Sequence, residues 1–355
     1  MNNVFDQRFG GKVVAEIVSP SFDVANPHLI NEAYIPEDVL ARMKASWAKG
    51  KIPERIIQLI EINNVFVVDE GVVCDASGTV IPAFLTQQAP KHVDEAIQKV
   101  REAILRGTFD SVVAPTVLCT KPGWQNYGHW LMELLPIADL AQRILRSADV
   151  RFAIMQESSP EMAAVVNDSL SRAGVGAKQI QRVSRAPRFF KSLYIVLGLT
   201  RHGVYMSPQV FNPIDFISKD IVPFSDEKLF VARSSQSTRF FHDNDRVAET
   251  MKQNGFKVLY PENCSFSEQV ARFKGARVVV GIAGAAMANI AFCSPMTKVK
   301  IFYPSTMADT FFWFIAQHRR LNFEDIRVRE VGKKITHNTW DSALEFPSEL
   351  STAIV

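Results

Sequence analysis

The string Asn126-Tyr-Gly-His129-Trp-Leu-Met-Glu133-Leu-Leu-Pro136 sets an amide, an imidazole and a carboxylate at helical spacing. On a helix, His129 and Glu133 stand four apart and Asn126 and His129 three apart, so the three groups share a face. A carboxylate that accepts the proton of one imidazole nitrogen leaves the other nitrogen as a base, which suits acid/base chemistry. The same spacing also makes an ordinary hydrogen bond on a helix surface.

A second group of chemically capable residues lies further along the chain. Arg233-Ser-Ser-Gln-Ser-Thr-Arg239 offers two guanidinium groups and several hydroxyls. Such a loop can grip a diphosphate through charge-assisted bonds, or stand as a solvated turn. Pro261-Glu262 offers a carboxylate that suits ribose hydroxyls or caps the next helix. Gly281-Ile-Ala-Gly284-Ala-Ala-Met-Ala-Asn289 reads as a strand-to-helix turn, where glycine permits close approach of backbone or phosphate. Its small residues also allow tight packing of helix on strand, and the missing G-x-G-x-x-G pattern argues against NAD. Asn289, polar among apolar neighbours, needs a partner in the backbone or in a ligand.

The elements that must position these groups change character near residue 110. Before it, Val13–Val18, Asn64–Asp69, Gly71–Cys74 and Thr79–Phe84 read as short strands, with helical patches near Pro36–Ala48 and His92–Leu105. From Ser111 strands and helices alternate, with Asn126–Ser147 and Glu161–Ala173 helical, which means βαβ units and a mainly parallel sheet. Thr200–Ser225, with Pro208, Pro213 and Pro223, reads as a linker. A second alternating unit runs from the strand Leu229–Ala232 to the strand Lys298–Phe302 and places all three loops at carboxyl ends of strands, where open α/β sheets bind ligands. The expected organisation is a β-rich region over 1–110 joined to an α/β domain over 111–215, a Rossmann-like domain over 225–330, and a tail over 331–355 that packs back on the first domain.

Composition narrows the function classes. The 355 residues exceed what one core usually organises, so two domains are expected. Lys and Arg outnumber Asp and Glu by only 40 to 37, which argues against a nucleic-acid binder. The start of the chain has no apolar run, so a cytoplasmic protein is expected, with membrane contact at most peripheral. Phe311-Phe-Trp-Phe314 and the basic run Arg182, Arg185, Arg188 and Lys191 are candidates for that contact, or else a buried aromatic helix beside a solvated face. The four cysteines are far apart and read as reduced, mostly buried thiols rather than a zinc site.

Together the strings N-x-x-H-W-L-x-E-x-L-P, R-S-x-x-x-x-R, G-F-x-V-x-x-P-E-x-x-S-F-x-E-Q-V-x-x-F and V-V-V-G-x-x-G-A-x-x-A-N resemble the family 61 glycosyltransferases over about Ser111 to Leu321. The resemblance implies α/β architecture with two Rossmann-like domains in a GT-B-like arrangement and the β-rich N-terminal region added. It further implies an inverting transfer from a nucleotide-sugar, with a UDP-sugar the expected donor, to a glycan or lipid-linked glycan, as in capsule and other polysaccharide biosynthesis. Carried over by motif, the catalytic residues are Asn126, His129 and Glu133, with His129 as base. The donor-binding residues are Arg233, Arg239, Glu262, Gln269, Gly284, Ala285 and Asn289. No metal is expected, since no D-x-D string is placed facing the donor loops, and no cofactor beyond the nucleotide-sugar co-substrate. A homo-oligomer is compatible with all of this. The alternative is a non-catalytic nucleotide-sugar or glycan-binding subunit. Two departures stand out: Ala283 where the family usually has histidine, and Phe240 where it usually has a second arginine.

Overall fold

The protein is described by a computed structural model covering residues 11–347, apart from 158, 226, 235, 236, 337, 339 and 340. Its two large sheets are built on β1 (Lys12–Ser19), β2 (His28–Ile30), β3 (Arg55–Val68), β4 (Thr116–Leu118), β5 (Arg151–Met155), β6 (Ile180–Val183), β7 (Arg188–Leu197), β8 (Lys228–Val231), β9 (Lys257–Leu259), β10 (Val278–Ile282), β11 (Lys298–Pro304) and β12 (Asn322–Val328). The fold is mixed α/β and separates into two compact units. One comprises the residues up to Ser21 with Pro53–Ile217, the other Phe22–Ile52 with the residues from Ser218 onward.

In the first unit the strand order is β1-β3-β7-β4-β5-β6. The pairs β1/β3 and β3/β7 are antiparallel, whereas β7/β4, β4/β5 and β5/β6 are parallel. The parallel half follows from the helices Leu135–Leu145 and Pro160–Arg172, which cross from β4 to β5 and from β5 to β6. Ser159 caps the second of these through Met162 N at 3.2 Å, with Pro160 at the first helical position where its missing N–H costs nothing.

The second unit carries an all-parallel sheet in the order β9-β8-β10-β11-β12-β2. Its strands are covered on both faces, and Leu229, Phe230 and Val231, like Val279 and Val280, are buried without alternation. Four of the five crossovers in chain order carry the helices Asn244–Gln253, Phe266–Gly275, Ala285–Phe292 (a 3-10 helix) and Phe311–Arg319. The order reverses between β8 and β10, and it is at such a switch point that open α/β sheets bind ligands.

Three expectations about organisation are corrected. The entry region is not one continuous piece: β2 pairs in parallel with β12, Ala25 bonds Gln317 and Trp313, and Asn31 bonds the Arg327 carbonyl, so residues 22–52 join the second unit. Thr200–Ser225 is not a plain linker but a hairpin, Thr200–Arg201 with Tyr205–Met206, followed by the helix Phe211–Ser218, with Ile214 and Ile217 buried. Ser19 Oγ holds this segment to β1 through Tyr205 Oη at 2.5 Å and Ser207 Oγ at 2.6 Å. The described part of the tail packs on the second unit, where Ala343–Leu344 pairs with Phe240–Phe241 and Leu344 enters the core beside Phe241 and Phe302. The first and the third depend on pairing between distant segments, which local patterns do not carry.

The aromatic helix is core. Phe311, Phe312, Trp313 and Phe314 are all buried, which removes them as a membrane-contact surface. The basic run is largely neutralised, Arg182 by Glu157 at 2.7 Å, Arg185 by Glu70 at 2.6 Å and Arg188 by Asp110 at 3.0 Å. Among the described residues no helix is long and apolar enough to cross a membrane. All four cysteines are free thiols, Cys264 being the half-buried one.

Candidate functional site

In the first unit the chemistry gathers at the carboxyl ends of two adjacent parallel strands. Lys121 follows β4 and His202 follows β7. Asn126 opens the intervening helix as its N-cap, its Oδ1 accepting from Gly128 N at 2.8 Å and His129 N at 3.4 Å. The helix begins with the turn Tyr127–His129, widens to a π-helix over Trp130–Leu134, and resumes as Leu135–Leu145 with Pro136 near its start. Proline has no N–H to continue an α ladder, and a π turn accommodates the break; such turns recur at functional sites.

Glu133 sits in that π turn with only 1% of its surface exposed. Its Oε2 accepts from Lys121 Nζ and lies 2.9 Å from His129 Nδ1, and its Oε1 lies 2.9 Å from His202 Nδ1. Burial pushes the Glu133 carboxyl up, but the hydrogen bonds from His129 and His202 and the Lys121 ammonium outweigh it and hold the group well below the usual carboxylate range. An ionised carboxylate only accepts, so both imidazoles must donate from Nδ1, and in the neutral rings the basic lone pair falls on Nε2. The two rings lie 4.5 Å apart at 42°. Gly123, at φ +82°, lies beside His129: a β-carbon there would stand 2.9 Å from Cδ2 and 3.0 Å from Nε2.

The burial of Glu133 rules out the surface hydrogen bond that the spacing also allowed. Asn126 does not join the array through its side chain, which is occupied as a cap. Lys121 and His202 were not foreseen: His202 lies in the segment read as a linker, and Lys121 precedes the helical pattern by a loop. His129, Glu133 and His202 each present a ligand atom, all within 4.8 Å of one another, and so form a metal-capable trio. The Lys121 ammonium already neutralises that carboxylate, and a metal would have to displace it.

In the second unit Arg233 follows β8 and Ala283-Gly284 follows β10, the two strands at the switch point. The Ala283 carbonyl accepts from Arg239 Nε at 3.0 Å and from Arg233 Nη1 at 3.4 Å. Arg239 also pairs with Asp341 Oδ1 at 2.8 Å, and the other oxygen of Asp341 is held by Thr336 Oγ1 at 2.7 Å and Asn338 Nδ2 at 3.0 Å. Asn244 Nδ2 donates to the Arg233 carbonyl. The Arg233 Nε is buried with no hydrogen-bond partner among the described residues. Burial brings Arg233 down to about 10, the charge of Arg239 acts the same way, and Asp341 and Glu262 oppose them. Burial likewise lowers Arg239, against Asp341 and Asp309. Two cations thus share one close carboxylate, an arrangement that favours a bound anion.

The other expected donor residues separate into two groups. Glu262 is exposed in the 3-10 turn Pro261–Asn263 after β9, and Ala285 is half-buried at the start of its 3-10 helix. Asn289 and Gln269 are buried and face each other: Asn289 Nδ2 donates to Gln269 Oε1 at 3.0 Å and to Ala286 O at 3.1 Å, while Gln269 Nε2 donates to the carbonyls of Pro261 at 3.0 Å and Cys264 at 3.3 Å. This pair ties the Gly284 turn to the Glu262 turn. Asp243-Asn-Asp245 is a D-x-D string at the start of the helix Asn244–Gln253; both carboxylates are exposed and Asp243 pairs with Arg246 at 2.9 Å. Of the Arg233–Arg239 loop, Ser235 and Gln236 lie outside the described residues.

Residues 127–300 match the family model named Glycosyltransferase 61. The chain carries a glycosyltransferase 61 domain. No curated protein matches the chain. The glycosyltransferase 61 match includes His129, Glu133, His202, Arg233, Arg239 and Gly284, and leaves Lys121 and Asp341 outside it. Within the matched domain, Ala283, where the resemblance expects histidine, is buried with its N–H on the Phe302 carbonyl at 2.9 Å. Phe240, where it expects arginine, is half-buried in the short strand paired with Ala343–Leu344.

Proposed function

We propose that this glycosyltransferase is an inverting, metal-independent enzyme that moves a sugar from a UDP-sugar to a hydroxyl of a glycan or lipid-linked glycan. In this reading the first unit is the acceptor side and the second the donor side of a GT-B-like enzyme of surface polysaccharide biosynthesis, working in the cytoplasm. The observation that carries it is the incompletely compensated Arg233 beside Arg239 at the switch point of a parallel sheet. A diphosphate brings the negative charge this site lacks.

The acceptor oxygen attacks the anomeric carbon, the bond from that carbon to the diphosphate oxygen breaks, and the diphosphate leaves with the electron pair. The hydroxyl proton passes to an imidazole held on Glu133, which as an anion stabilises the imidazolium formed. Arg233 and Arg239 stabilise the charge on the departing diphosphate.

Thermal shift against UDP-, GDP-, CMP- and dTDP-sugars tests the reading, since a ligand at 100 times its dissociation constant stabilises by about 2.7 kcal/mol. A UDP-sugar is expected to give the largest shift, and transfer is expected to survive a chelator. Binding without transfer and without slow donor hydrolysis would instead favour a non-catalytic nucleotide-sugar-binding subunit.

A further inference from the structure

We propose that His202, rather than His129, takes the proton of the acceptor hydroxyl, and that His129 is a positioning residue on the same carboxylate. This rests on the glycosyl-transfer reading above. Both imidazoles are committed to Glu133 through Nδ1, at 2.9 Å each, so the basic atom of each is Nε2. What separates them is access. The His129 side chain is 18% exposed and the His202 side chain 32%. The Nε2 edge of His129 faces Gly123 so closely that a single added β-carbon would stand 3.0 Å from that atom. A substrate hydroxyl must itself come within roughly 2.6–3.2 Å of the base. That approach is obstructed at His129 and more open at His202.

The charges agree with this division. Lys121 neutralises Glu133, so the cluster is neutral while both imidazoles are neutral and carries one positive charge after proton transfer. The step balances: the hydroxyl loses its proton to His202 Nε2 as the oxygen bonds the anomeric carbon, and the diphosphate departs with the electrons of the broken bond. His202 Nδ1–H keeps its bond to Glu133 throughout, which strengthens as the ring becomes cationic. His129 occupies the other carboxylate oxygen with Lys121 and fixes the orientation of Glu133. His202 stands just past Arg201, on the hairpin that Ser19 holds to β1 through Tyr205 and Ser207, so its placement is built into the unit.

Asparagine substitutions separate a base from a hydrogen-bonding prop, because the side-chain amide still donates to Glu133 but accepts no proton at neutral pH. His202→Asn is expected to lose transfer about 100-fold or more, the range for a general base, with nucleotide affinity by calorimetry within twofold of the parent. Added imidazole is expected to restore part of the rate to His202→Ala. His129→Asn is expected to fall less, and His129→Ala to gain nothing from imidazole. A His202→Asn protein that keeps the parent rate, or equal losses in the two asparagine variants, would overturn the assignment while leaving glycosyl transfer in place. A parent protein that transfers no sugar from any of the four nucleotide-sugar classes would overturn the reaction itself, and this proposal with it.

Discussion

A β-carbon built on Gly284 falls 1.5 Å from Nη1 of Arg233. The glycine has φ 176° and ψ 168°, an extended conformation open to any residue, so its requirement is for space. The space is filled by the guanidinium that follows the neighbouring strand. Gly284→Val is therefore expected to dislodge Arg233 and abolish detectable nucleotide binding. Gly284→Ala and Arg233→Met should be strongly non-additive in a double-mutant cycle of calorimetric affinities. Additive losses would show that the glycine contacts the ligand independently.

Arg233→Met removes a buried cation whose Nε has no partner among the described residues. Nucleotide affinity is expected to fall at least tenfold, about 1.4 kcal/mol. The melting temperature without ligand should hold or rise, because burying a poorly compensated charge costs stability. A variant that melts lower yet binds as the parent does would give Arg233 a structural role instead.

Glu133→Gln leaves the Lys121 ammonium buried against a neutral amide. Breaking one partner of such a pair costs about 3–5 kcal/mol, so a marked drop in urea midpoint at neutral pH is expected, partly recovered when Lys121→Met is added. The pH dependence has a definite sign. The Glu133 carboxyl is held low in the folded state and returns to about 4.3 on unfolding, so its contribution is complete above that value and declines as pH falls below it. The gap in midpoint between parent and Glu133→Gln should narrow between pH 7 and pH 3. A gap that widens on acidification would contradict the charge assignment.

Asn289→Ala strands the buried Gln269 Oε1, at a cost of about 1–3 kcal/mol. Affinity per folded molecule should stay within a fewfold of the parent, since the pair supports the turns from behind. Loss of affinity with unchanged stability would return Asn289 to the ligand.

The residues themselves showed the alternation of strand and helix in both units, because burial of a parallel sheet under helices leaves a local periodic trace, as in Lys228–Val231 followed by Asn244–Gln253. They also showed the spacing of His129 and Glu133 and the positions of Arg233 and Gly284 at strand ends. What needed the tertiary structure was every relationship between distant segments. Nothing near His202 marks it as a partner of Glu133, 69 residues earlier, and nothing near Asp341 marks it as the counterion of Arg239, 102 residues earlier. The pairing of β2 with β12 is equally silent in sequence, since a parallel edge strand is chosen by the register of its neighbour. Periodicity reports which face of an element is buried; which charged groups meet there is settled only when the chain closes those long loops.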